Sequence, residues 1–145
     1  MATVQNILDH KGSEVFKIPA FATIRQAAQK MNEYRVGALV VMDSVYVAGI
    51  LTERDVLQRV VAQGRDPAEA RVEQVMTKEV IGCDPQTTID EARNIMKQRR
   101  IRHLPVTDPD GMLLGVVSIG DLNAWALDHQ EITIHHLQEY LYGQY

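Results

Sequence analysis

Cysteine is almost missing from this chain of 145 residues. Cys83 is the only one, which excludes an intrachain disulfide and any cysteine-based metal cage. A lone thiol of this kind reads as a small, half-buried packing residue rather than a reactive group. Long apolar runs are also missing. The longest, such as Ala38 to Met42, are far too short to cross a bilayer, so no membrane partner is expected. The opening stretch MATVQNILDHKGSEV lacks a basic segment followed by an apolar one and is not read as a secretory signal, so the expected location is cytoplasmic. Positive charge is not in surplus: 15 Lys and Arg stand against 19 Asp and Glu, a net charge of −4, which argues against nucleic acid as a partner.

Catalytic motifs are missing too. There is no Gly-x-Ser-x-Gly elbow and no glycine-rich phosphate loop with its lysine. His135 and His136 are adjacent, so on a helix they point to different faces and lack the i, i+4 spacing of paired metal ligands. Neither an enzyme nor a bound cofactor or metal is expected. Hydrophobic residues at 46% and charged residues at 23% are an ordinary balance for a globular protein.

What the chain does have is a copy of itself. Thr23-Ile24-Arg25-Gln26-Ala27 lies over Thr88-Ile89-Asp90-Glu91-Ala92 at an offset of 65 residues. The register continues through Met31 over Met96, Arg35 over Arg100, Val36 over Ile101, Leu39 over Leu104 and Asp43 over Asp108. After one inserted residue, Gly49-Ile50-Leu51-Thr52 lies over Gly115-Val116-Val117-Ser118, and Asp55 over Asp121. Upstream, Val4, Ile7 and Leu8 match Val72, Val75 and Met76. Self-similarity sustained over this length marks two structural repeats.

Each copy reads as the same series of elements. Ile24, Ala27, Ala28 and Met31 fall on one face of a helix over 24–34, and Ile89, Ala92, Ile95 and Met96 do so in the second copy. Thr23 with Gln26, and Thr88 with Glu91, have the spacing of capping boxes. Short apolar strands follow at Gly37 to Met42 and His103 to Thr107. The turns are Asp43-Ser44 and Asp108-Pro109-Asp110-Gly111, and second strands run Val47 to Leu51 and Leu113 to Val117. A further helix begins at Thr52 or Ser118.

The order strand, helix, strand, strand, helix predicts a small α+β unit with both helices on one face of its sheet. A unit of roughly 60 residues is marginal alone, so the two should pack sheet to sheet with pseudo-two-fold symmetry. The divisions expected are a first repeat over 1–64, a linker over 65–71, a second repeat over 72–123 and a C-terminal extension over 124–145. Ile134, Leu137 and Leu141 suggest an amphipathic helix in that extension.

These residues resemble the CBS domain pair, often called a Bateman module. The resemblance spans about Val4 to Leu122. It rests on Gly49-Ile50-Leu51-Thr52-Glu53-Arg54-Asp55, on Gly115-Val116-Val117-Ser118-Ile119-Gly120-Asp121, and on Arg100-Ile101-Arg102-His103-Leu104-Pro105-Val106. No single motif is highly specific, but two correctly spaced copies are. No enzyme, channel or transporter segment accompanies them, so the chain reads as a stand-alone pair. The resemblance implies a regulatory sensor of AMP, ADP, ATP or NAD(H), with two sites in the cleft between repeats. It also implies a homodimer and a regulated protein partner that the sequence does not name. The alternative is a structural dimerisation or adaptor module whose pockets stay empty.

The spacing Thr52-x-x-Asp55, repeated at Ser118-x-x-Asp121, has two explanations. An acid three residues after a hydroxyl caps a helix. A helix start also offers free amides and a positive dipole end to a phosphate, the hydroxyl can donate to it, and the carboxylate can accept from ribose hydroxyls. By resemblance Asp55 and Asp121 take the ribose role, and Thr52 and Ser118 the hydroxyl role.

The two sites differ, because Arg102, His103 and Pro105 stand where Gly37, Ala38 and Val40 stand in the first repeat. Leu104 lies within the same second-repeat segment. His103 is a phosphate or base contact, or an ordinary strand-start histidine. Pro105 removes a backbone donor near the base. Arg54 reaches a phosphate or stays on the surface. Ile18, and Val80 with Ile81, either sandwich an adenine or pack in the core. The basic run Lys97, Arg99, Arg100, Arg102 is read mainly as cations completing a helix C-terminus.

Overall fold

The computed structural model describes residues 1–12 and 14–129. The expected C-terminal helix therefore falls mostly outside the described residues, as do His135 and His136. The first repeat contains β1 (Lys17–Pro19), α2 (Ile24–Tyr34), β2 (Ala38–Asp43), β3 (Tyr46–Thr52) and α3 (Glu53–Val56), which runs on into a π turn (Leu57–Val61). It is preceded by α1 (Val4–Lys11). The second repeat is preceded by α4 (Val72–Val75) and contains α5 (Ile89–Arg99), β4 (His103–Thr107) and β5 (Leu113–Ser118). A helix α6 follows over residues 119–129.

β1 pairs parallel to β2, and β2 antiparallel to β3. β4 and β5 form the matching antiparallel pair. In the second repeat the first strand shrinks to one parallel bridge between Cys83 and Val106, held by Cys83 N donating to Pro105 O and Thr107 N to Cys83 O, each at 3.0 Å. The fold is the α+β pair of tandem repeats that the duplication predicts.

Helix starts follow their local chemistry. At α2, Gln26 N donates to Thr23 Oγ1 at 3.1 Å while Thr23 N donates to Gln26 Oε1 at 2.9 Å. At α5, Glu91 N donates to Thr88 Oγ1 at 3.1 Å. Both helices end at an arginine in the left-handed region, Arg35 and Arg100, each at φ 55°. The amides of the residues that follow, Val36 and Ile101, donate back to Met31 O and Met96 O at 3.0 Å, carbonyls that also accept from the Arg35 and Arg100 amides, which closes each helix end.

The short leading helices are exchanged between the repeats. Val4, Ile7 and Leu8 of α1 are buried with Ile89, Ala92, Met96, Leu104 and Val117 in the second core. Val72 and Val75 of α4, with Met76 at its end, are buried with Ile24, Ala27, Leu39 and Leu51 in the first. Backbone hydrogen bonds repeat the exchange. Val4 N donates to Thr87 O at 2.9 Å and Ile89 N to Ala2 O at 3.2 Å, while Val72 N donates to Ala22 O at 2.8 Å and Ile24 N to Ala70 O at 2.9 Å. Each pair maps onto the other under the sequence duplication. Arg59 fastens α4 further, its Nη1 donating to Val75 O at 2.8 Å and Met76 O at 3.2 Å.

The exchange also explains the glycine that leads each motif strand. A Cβ on Gly49 would lie 2.7 Å from both Met76 Sδ and Thr77 O, and one on Gly115 would lie 2.7 Å from Leu8 Cδ2. Only a residue without a side chain lets the leading helix sit this close to the sheet.

Candidate functional site

β3 and β5 each deliver the chain from a buried strand straight into a helix, which leaves the helix tip at the edge of the cleft between the repeats. At the first tip, Asp55 N donates to Thr52 Oγ1 at 3.2 Å and Thr52 N to Asp55 Oδ2 at 3.0 Å. At the second, Asp121 N donates to Ser118 Oγ at 3.1 Å and Ser118 N to Asp121 Oδ2 at 2.8 Å. Both tips are thus reciprocal caps. Capping does not use up the groups: each carboxylate oxygen has two acceptor positions, and each hydroxyl that accepts keeps a proton to donate. The cap instead holds the acid in one orientation.

Surroundings separate the two acids. Asp55 is only 7% exposed, and the Thr77 hydroxyl lies 3.4 Å from both of its oxygens. Asp121 is ion-paired, with Lys11 Nζ 2.7 Å from Oδ2, and the same ammonium donates to Val116 O at 3.0 Å. Partial burial by itself would raise the Asp121 pKa. The hydrogen bond and charge of Lys11, with the Ser118 backbone and hydroxyl, outweigh it and hold the carboxyl below its usual range.

The first tip opens onto a cavity of about 270 Å³. Thr52, Arg54 and Asp55 line one side, Thr77, Val80 and Ile81 the approach to the second repeat, and Arg100, Arg102 and His103 the far side. Its formal charges balance, since Arg54, Arg100 and Arg102 share the lining with Glu53, Asp55 and Glu79. The second cavity, of about 400 Å³, is lined by Ser118 and Val116, by Gly37, Ala38 and Val40 of the first repeat, and by Lys11, Val15 and Phe16. His103 borders both. Burial pushes the His103 pKa down; Asp121 and Glu53 pull it up, Lys11 and Arg102 push it down, and the net effect favours the neutral ring.

Grouping site residues by repeat therefore differs from grouping them by cavity. Arg102 and His103 face Thr52 and Asp55 of the other repeat, and Gly37 and Ala38 share a cavity with Ser118. Four of the residues singled out from sequence stand apart from both linings, the first being Asp121, which is paired with the lining residue Lys11 beside the second cavity. Ile18 is buried in the first core and borders a separate groove with Pro19 and Phe21. Leu104 is fully buried in the second core. Pro105 is buried beneath the cavities, its carbonyl receiving Cys83 N. Sequence reasoning missed Lys11, Val15, Phe16, Glu53, Thr77 and Glu79 as cavity residues, and it placed Arg100 only at a helix end. For Val15 and Phe16 a signal existed, because the offset of 65 places them over Val80 and Ile81. Among the described residues no cluster of three or more His, Cys, Asp or Glu side chains is placed to hold a metal, and no helix is long and apolar enough to cross a membrane.

A cleft between duplicated α+β repeats, with hydroxyl-and-acid helix tips at its edge, defines a class, and comparison with known proteins agrees. The chain belongs to the CBS domain family, whose model matches residues 7–62 and again 72–128. It is 34% identical over 119 residues to the CBS domain-containing protein YhcV of Bacillus subtilis, covering 82% of this chain and 84% of that protein. Among solved structures, it superimposes with a TM-score of 0.86 on a putative signal-transduction protein with CBS domains from Burkholderia ambifaria, at 39% identity over 89% of this chain and 96% of the other. A CBS domain protein from Pyrobaculum aerophilum complexed with AMP matches with a TM-score of 0.74 and 29% identity, covering 82% and 88%.

Proposed function

We propose that this chain is a regulatory binder of an adenine nucleotide, with the cavity at Thr52 and Asp55 as the principal site. The observation that carries the reading is a buried, oriented carboxylate at a helix tip that opens onto a cavity completed by the other repeat. Its volume of about 270 Å³ lies just below the range of roughly 300–1,000 Å³ usual for small-molecule sites. In this reading the vicinal hydroxyls of ribose donate to Asp55, Val80 and Ile81 flank the base, and the Thr52 hydroxyl with Arg54 and Arg102 takes phosphate. His103, kept neutral, contributes a hydrogen bond rather than a charge. The AMP bound by the relative from Pyrobaculum aerophilum supports the ligand class, which here includes ADP, ATP and NAD(H).

A nucleotide touching both repeats shifts their arrangement to the extent that it binds one arrangement better. That shift, passed through a homodimer to a protein partner, is the signalling step, and it operates in the cytoplasm. One observation favours the adaptor reading instead: the carboxylates already have partners within the chain, Thr77 at Asp55 and Lys11 at Asp121. Calorimetry with AMP, ATP and NADH separates the two. The sensor reading expects saturable binding that falls at least tenfold in Asp55→Ala. An adaptor binds none of the three.

A further inference from the structure

The geometry points to Lys11 as a built-in competitor that makes the two nucleotide sites unequal: it lines the second cavity and its ammonium occupies Asp121, the acid of the helix tip beside that cavity, so the first cavity loads first. This rests on the nucleotide-binding reading and deepens it. The pseudo-symmetry of the chain makes the difference visible. The tips match, each with a hydroxyl, an acid and reciprocal cap bonds. What approaches the acids does not match. Asp55 meets the neutral Thr77 hydroxyl at 3.4 Å, whereas Asp121 meets a cation at 2.7 Å.

Lys11 is well placed to hold this position. It ends α1, whose Val4, Ile7 and Leu8 are locked into the second core, so its backbone stays beside β5. The ammonium satisfies two acceptors at once, Asp121 Oδ2 and Val116 O. Asp121 Oδ2 already accepts from Ser118 N and from Lys11, so a ribose that bridges both carboxylate oxygens must displace that ammonium. The pair is accessible to solvent, with Lys11 36% and Asp121 24% exposed. Its strength is accordingly modest, of the order that changes an equilibrium by roughly fivefold, enough to rank two sites without closing one.

The cavities divide ligands along the same line. The first carries Arg54, Arg100 and Arg102. Among the described residues lining the second, Lys11 is the one Lys or Arg, and it is already paired. Among the described lining residues, a phosphorylated nucleotide therefore finds guanidinium groups in the first cavity and not in the second.

The test uses AMP as probe and calorimetry on the full chain. Asp55→Ala silences the first cavity, and the residual affinity of that variant reports the second. Adding Lys11→Met, which keeps the alkyl stem and removes the charge, is expected to tighten this residual binding roughly fivefold. Lys11→Arg in the same background keeps the competitor and is expected to leave it weak. Adding Asp121→Ala to the Lys11→Met form should abolish it, locating the event.

An unchanged or weaker affinity on Lys11→Met overturns the competitor role, and a weaker one makes Lys11 a phosphate contact. Equal loading of both cavities in the unmodified chain also overturns it. If neither the unmodified chain nor any variant binds AMP, the nucleotide reading itself falls and the competitor role with it. A carboxyl NMR titration checks the contact without ligand. The Asp121 midpoint should rise in Lys11→Met, and an unmoved midpoint contradicts the ion pair.

Discussion

At the residue scale, His103 is a group whose protonation the fold shifts. It stands at the start of β4, paired in register with Ser118, and borders both cavities. Glu53 and Asp121 favour its charged form, Arg102 and Lys11 oppose it, and burial decides the outcome toward a lowered pKa. The sign of the linkage follows. Below the ordinary histidine value of 6.5 the unfolded chain binds more protons than the folded one, so stability falls as pH drops from there toward the folded midpoint. An NMR titration should find the His103 midpoint below 6.5. In His103→Gln the fall in stability over that interval should flatten. A midpoint at or above the ordinary value would contradict the environment described.

Residues also mark where sequence reading stopped. Thr52, Asp55, Ser118 and Asp121 were legible because a hydroxyl and an acid three apart at a strand-to-helix junction have few uses. Ile18 was not, since an apolar residue at a strand start looks the same whether it faces a ligand or a core. Lys11 was beyond reach for a different reason. A long, flexible amine acquires its partner only from tertiary placement, and Asp121 lies 110 positions away.

At the scale of elements, the close seating of α4 on Gly49 and of α1 on Gly115 is testable by adding one methyl group. The two should respond unequally. On Gly49 the new Cβ meets a backbone carbonyl, Thr77 O, which cannot step aside, as well as the Met76 side chain. On Gly115 its nearest contacts are atoms of the Leu8 side chain, which can rotate. Gly49→Ala should therefore cost about 2–3 kcal/mol in urea unfolding and Gly115→Ala about 1 kcal/mol. Equal costs, or a larger one at Gly115, would mean the helices do not approach the sheet as described. Secondary structure itself was largely legible, because α2, α5 and the paired strands follow apolar periodicity, and turns follow Asp, Pro and Gly. The leading helices were seen only as repeated apolar positions. α4 is four residues long, too short for a helical period to show.

At the scale of the whole molecule, the exchange of α1 and α4 makes the repeats interdependent. The duplication was plain in the sequence, but which core each leading helix completes is a matter of topology, and local pattern carries no information on it. A fragment of residues 1–64 would expose Val4, Ile7 and Leu8 and lack Val72, Val75 and Met76 from its core. Such a fragment should show little native circular dichroism and no cooperative melting, whereas the full chain should unfold in one transition. A fragment that melts cooperatively by itself would contradict the exchange. The same architecture carries the functional claim, since each cavity takes its tip from one repeat and its far wall from the other.

The most direct measurement is an amide NMR titration of the labelled chain with AMP. The expected result is a saturable set of shifts centred on Thr52, Asp55, Val80 and His103, thus crossing from one repeat to the other, with Ser118 responding only at higher ligand concentration. Shifts confined to a single repeat, or none in these residues at saturating AMP, would contradict a nucleotide site shared across the cleft.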